Sequence, residues 1–101
     1  MIKHIVMWKF KDEAEGQVRD ANMARAKEML FALVGVIPEL KKMEIGEDIT
    51  HSDMSMDLVL ITEFETVEDM NTYAVHPEHV KVSKFIRSVI ETRRVIDYNM
   101  E

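Results

Sequence analysis

A chain of 101 residues, 47% hydrophobic and 32% charged, has the composition of one ordinary globular domain, here expected to span residues 1–101. Its net charge of −6 argues against nucleic acid or an anionic membrane as the main partner, and the absence of cysteine excludes disulfides and thiolate chemistry. No stretch approaches the roughly 18 apolar residues of a membrane span and no signal-peptide core opens the chain, so a cytoplasmic location is expected.

Ile2 to Phe10 alternates, with Ile2, His4, Val6, Trp8 and Phe10 on one face and Lys3, Ile5, Met7 and Lys9 on the other. That is strand periodicity, and the apolar middle of the second face (Ile5, Met7) signals that both faces are covered. Strong helix formers from about Glu13 to Val34 predict a helix capped by Asp12, with Val18, Met23, Ala26, Leu30, Leu33 and Ile37 near helical spacing. Gly35 and Pro38 stop it.

Lys41 to Asp48 reads as a second strand, the polar Ile49–Ser55 stretch as a loop, and Met56 to Phe64 as a third strand, again apolar on both faces. Thr66-Val67-Glu68-Asp69 resembles a capping box, so a short helix should carry Met70 and Tyr73. Pro77 suits the first turn of another helix, running to about Ile90 with Phe85 on its buried stripe, and it makes His76 the cap. Arg94 to Met100 closes the chain as a strand. The order is β-α-β-β-α-β, an α+β ferredoxin-like plan with both helices on one face of a four-stranded antiparallel sheet. Nothing remains to cover the other face, so a second copy packed sheet to sheet is expected, giving a dimeric α+β barrel.

Chemistry concentrates in Tyr73-Ala74-Val75-His76-Pro77-Glu78-His79-Val80. His79 falls in the first turn of a helix, where the dipole favours neutral imidazole, the form that accepts a proton. Tyr73 is its nearest partner. The pair reads either as a general acid–base couple or as a buried His–Tyr hydrogen bond holding two helices together. His4, on an apolar face, is either a core residue or part of the same pocket. A metal site built from His4, His76 and His79 lacks any accompanying carboxylate or cysteine pattern, so no metal and no cofactor are expected. His51, in the polar loop, reads as solvated.

Ile2-Lys3-His4-Ile5-Val6, Val36-Ile37-Pro38-Glu39-Leu40 followed by Glu44-Ile45-Gly46, Asp57-Leu58-Val59-Leu60, the Tyr73–Val80 segment and Val95-Ile96-Asp97-Tyr98 together resemble the stress-responsive dimeric α/β-barrel family. The resemblance spans essentially the whole chain and implies a ferredoxin-like homodimer. One branch of that family closes linear polyketides without a cofactor, using a tyrosine and a histidine that map onto Tyr73 and His79, with a strand-one histidine that maps onto His4. Where that branch has a tyrosine on the first helix and a histidine on the third strand, this chain has Leu30 and Leu58, which makes the pocket less polar. Two functions follow. One is a homodimer binding a small apolar or carbonyl-bearing ligand in a cavity lined by His4, Trp8, Leu30, Leu58 and Phe85 together with Tyr73 and His79. The other is a cofactor-free acid–base enzyme, a cyclase or isomerase, using Tyr73 and His79.

Overall fold

In the computed structural model, which describes residues 1–100, the alternating segment Ile2–Phe10 forms β1. It is followed by β2 (Glu13–Ala14), β3 (Gln17–Val18), α1 (Arg19–Phe31), β4 (Lys42–Glu47), β5 (Leu58–Phe64), α2 (Val67–Val75), α3 (Pro77–Val89) and β6 (Ile90–Asn99). β4, β5, β1 and β6 lie side by side in that order, every pair antiparallel, so β1 and β5 are central. This is the ferredoxin-like arrangement, with the helices on one face. Among the described residues, no helix is long and apolar enough to cross a membrane.

The even-numbered residues of β1 and β5 meet the helices. Val6, Trp8, Phe10, Leu58, Leu60 and Phe64 are buried there against Met23, Ala26 and Leu30 of α1 and Val82, Ile86 and Val89 of α3. The opposite face carries a transverse row Glu44, Ile61, Ile5, Ile96 and a second row Gly46, Val59, Met7, Arg94. Ile96 is 57% exposed and Tyr98 42%. The apolar centre of this face has no cover among the described residues.

Several boundaries differ from the expectation, among them the end of the first helix, at Phe31 and not Val34. The first helix starts at Arg19, not Glu13, because Glu15 and Gly16 both adopt positive φ (52° and 75°) and turn β2 back on β3 as a two-residue hairpin. Helix propensity is worth only tenths of a kcal/mol per residue and yields to that turn. Val18 is therefore exposed instead of lying on the buried stripe. Asp12 is not a cap: its carbonyl accepts the Arg19 N–H at 2.8 Å and its carboxylate pairs with the Arg19 guanidinium. Met23, Ala26, Leu30, Leu33 and Ile37 are buried as expected.

β5 begins at Leu58, two residues after Met56, because Asp57 is occupied elsewhere. Its N–H donates to the Trp8 carbonyl at 2.7 Å, and its carboxylate accepts the Phe10 N–H at 2.7 Å. That buried clip fixes the end of β1, and with it the position of Trp8. β6 begins at Ile90, not Arg94: α3 passes into the strand at a single extended residue, and Thr92 and Arg93 pair with Lys9 and Trp8. Charged residues with weak strand preference become strand here because β1 offers unpaired backbone groups along its whole length.

Candidate functional site

The site lies between the helix-facing side of β1–β6 and the layer formed by α2 and α3. Thr66 caps α2, its hydroxyl accepting the Asp69 N–H at 3.1 Å. His76 then takes an extended conformation ahead of Pro77, and its Nδ1 accepts the Glu78 N–H at 3.1 Å, so it is the α3 cap. The extended His76 ahead of Pro77 turns α2 into α3, and Tyr73 and His79 come together beside a cavity of about 300 Å³. Val6 and Leu60 form its floor, and Leu30, Val82 and Ile86 its apolar walls. Polar groups arrive from three elements: His4, Arg93 and Asp97 from the sheet, Asn71 and Tyr73 from α2, and Ser83 and Arg87 from α3 beside His79.

Tyr73 and His79 meet through their rings, not through a hydrogen bond. The ring centroids are 4.3 Å apart with the planes tilted by 44°, and Phe64 packs on the other side of Tyr73 at 5.0 Å. The Tyr73 hydroxyl is buried and has no hydrogen-bond partner among the described residues. His79 Nδ1 lies 3.0 Å from the Ala74 carbonyl oxygen. A carbonyl can only accept, so Nδ1 carries the proton and the Nε2 lone pair is left free in the neutral ring. The expected His–Tyr hydrogen bond is therefore absent, and the helix junction is held by the His79–Ala74 bond instead.

Burial holds the His79 imidazole below the ordinary value of 6.5; the Ala74 carbonyl opposes this, while the charges of His4, Arg93 and His76 add to it. The direction matches the neutral ring expected from the helix start, but desolvation is the main cause. Burial also pushes the Tyr73 phenol well above its ordinary value of 10. It stays protonated at physiological pH and is a hydrogen-bond donor, not a base. Across the sheet, His4 Nδ1 bonds the Asp97 carboxylate, a pair made by the register that sets His4 opposite Asp97.

The stress-responsive A/B barrel domain matches residues 2–100 of the chain. The protein belongs to that family. Among its relatives, olivetolic acid cyclase from Cannabis sativa is 32% identical over 99 residues, covering 96% of this chain and 94% of that protein. The stress-response A/B barrel domain-containing protein DABB1 of Arabidopsis thaliana is 29% identical over 101 residues, and the chain spans 48% of its length. Among solved structures, a dimeric ferredoxin-like protein from Bacteroides fragilis is 31% identical, covers 98% of this chain with 95% of its own, and superposes with a TM-score of 0.86. Hydroxynitrile lyase from Passiflora edulis shares the fold, with a TM-score of 0.84 at 18% identity over 99% of this chain and 93% of that one.

Within this stress-responsive barrel, His4, Trp8, Leu30, Tyr73 and His79 border one cavity, and Leu58 and Phe85 do not. Leu58 is buried beside Trp8 on the β5 side, away from β6. Phe85 turns from the cavity toward α1, where the Arg25 guanidinium lies 5.9 Å above its ring. Ser83, Arg87, Arg93 and Asp97 also border the cavity. Ser83 and Arg87 follow His79 at four-residue steps on α3, a spacing that the sequence displays. Arg93 and Asp97 reach the cavity only through the β1–β6 register.

The lowered His79 value has a consequence for stability. Above pH 6.5 the ring is neutral in the folded and unfolded chain alike; as pH falls below 6.5 the unfolded chain takes up a proton first, and stability drops until the folded ring protonates too. NMR titration of the His79 ring should give a midpoint below 6.5, and His79→Gln should flatten the loss of stability in that window. A midpoint at or above 6.5 would show that the ring is not desolvated.

Proposed function

We propose that the protein acts as a single-domain homodimer whose helix-side cavity binds a small apolar ligand bearing a carbonyl group. The observation that carries this is that Tyr73 borders a cavity of about 300 Å³ while its hydroxyl, a protonated donor, is buried without an acceptor among the described residues. An unsatisfied buried donor costs about 1–3 kcal/mol, and a ligand carbonyl would relieve that cost. The cavity volume falls at the lower end of small-molecule sites, roughly 300–1,000 Å³. The dimer is supported by the uncovered apolar sheet face and by the dimeric relative from Bacteroides fragilis. A cysteine-free chain suits a reducing, cytoplasmic setting.

A second reading, a cofactor-free acid–base enzyme, is favoured by one observation. The Ala74 carbonyl engages His79 Nδ1 and leaves the Nε2 lone pair free, and His79 and Tyr73 border the same cavity. A neutral imidazole can remove a proton beside a carbonyl while a phenol donates to the enolate oxygen. Two proteins of similar sequence or fold bear enzyme names, olivetolic acid cyclase and hydroxynitrile lyase.

Trp8 borders the cavity and is the only tryptophan, so its fluorescence reports occupancy. Methyl hexyl ketone is expected to change that emission saturably, and octane more weakly; equal affinity for the two would remove the carbonyl from the proposal. In deuterated buffer, NMR of the same ketone separates the readings. Faster exchange of its α-protons than in buffer alone supports the enzyme, and unchanged exchange leaves the binding protein.

A further inference from the structure

Charge at the cavity is distributed unlike charge over the whole chain. Acidic residues outnumber basic ones by 19 to 13 overall, yet the cavity wall holds two arginines, Arg87 and Arg93, and a single carboxylate, Asp97. That carboxylate is already engaged by His4. Neither arginine forms an ion pair or a side-chain hydrogen bond among the described residues, whereas Arg19 pairs with Asp12, and Lys27 with Glu47 at 3.1 Å. Both are exposed, while Tyr73 is buried, so the guanidinium groups stand at the solvent side and the phenol at the inner end.

Their placement follows from the fold. Arg93 pairs with Trp8 across the sheet and so faces the same side as the Trp8 indole. No helix covers that part of β6; Val95, next along the same face, is 48% exposed. Arg87 stands one turn beyond Ser83 and two beyond His79 on α3. Strand and helix thus each bring a cation to the same cavity, and Arg93 is near enough for its charge to act on the His79 ring. Planar guanidinium groups without protein partners suit a carboxylate, which they bind through paired, charge-assisted hydrogen bonds.

We propose that Arg87 and Arg93 form an anion subsite at the cavity mouth, so that the ligand is an oxo-carboxylate: an apolar carbonyl compound carrying a carboxylate at its outer end. This rests on the reading that the cavity holds a carbonyl ligand, and the test separates the two. Trp8 fluorescence compares methyl hexyl ketone with the analogue whose terminal methyl is replaced by a carboxylate. The oxo acid is expected to bind about tenfold more tightly at low salt, with the advantage shrinking as salt rises. Arg93→Gln and Arg87→Gln should each remove most of that advantage over the ketone measured in the same variant, and Arg93→Lys should retain part of it, with circular dichroism verifying that all three fold. Equal affinity for ketone and oxo acid, or an oxo-acid affinity unmoved in both glutamine variants, overturns the subsite and leaves the carbonyl-binding cavity standing. If neither compound alters Trp8 emission, both proposals fall.

Discussion

Tyr73→Phe is expected to leave the free protein as stable as the parent or slightly more stable, while weakening ketone binding about tenfold. The two effects have opposite signs because the hydroxyl is buried without a partner. Removing it in the empty state abolishes an unmet desolvation cost, a gain on the order of 1 kcal/mol, and leaves the ring packed between Phe64 and His79. In the bound state the same change deletes the one donor proposed to meet the ligand carbonyl. If the cavity also catalyses proton transfer, the loss should be larger there, about 100- to 1,000-fold in rate, since a donor aimed at a developing oxyanion matters most in the transition state. Thermal melting and Trp8 titration check the two halves separately. A melting temperature lower by roughly 4–8 °C, the signature of about 1 kcal/mol in a domain this size, would mean that the hydroxyl is structural.

Ile61→Asp is the second large effect: it is expected to convert a dimer into a monomer at micromolar concentration. Ile61 sits near the centre of the open sheet face, between Glu44 and Ile5 in one transverse row. In the single chain it is only partly covered, so a carboxylate there remains hydrated and costs the monomer little. Packed against a second sheet it would be desolvated, once from each subunit, and an unpaired buried charge costs several kcal/mol. The association constant should therefore fall by at least about 1,000-fold. Analytical ultracentrifugation of parent and variant reads the result, and circular dichroism verifies the fold. A parent that is monomeric at micromolar concentration, or a variant that still dimerises, would show that the two sheets do not meet.

These two sites also differ in how openly the sequence declares them. The open face is written in the alternation of β1 and β5: Ile5, Met7, Val59 and Ile61 occupy positions that a half-solvated strand would fill with polar residues. The cap at His76 and the helix start at Pro77 are equally local, because proline restricts its own φ and the residue before it. Tyr73 and His79 could be paired for the same reason, six positions apart across a fixed turn. Leu58 and Phe85 were misplaced because periodicity says that a residue is buried but not which neighbours bury it. Leu58 points into the core beside Trp8, and Phe85 into the α1–α3 contact.

What the sequence determined unaided is carried by short-range rules: the order of the four sheet strands and the helices, the two-faced sheet, the caps at Thr66 and His76, and the nearness of Tyr73 to His79. The tertiary structure alone decided the chemistry of that pair. It showed that the rings pack at a tilt without a hydrogen bond, that the phenol has no partner among the described residues, and that the Ala74 carbonyl selects the His79 tautomer. It also brought Asp97 to His4 and Arg93 to Trp8, joining residues more than eighty positions apart. Hydrogen-bond partners and desolvation depend on strand register and on the angle between helices. Both are set by packing the whole domain, and neither leaves a local trace in the chain.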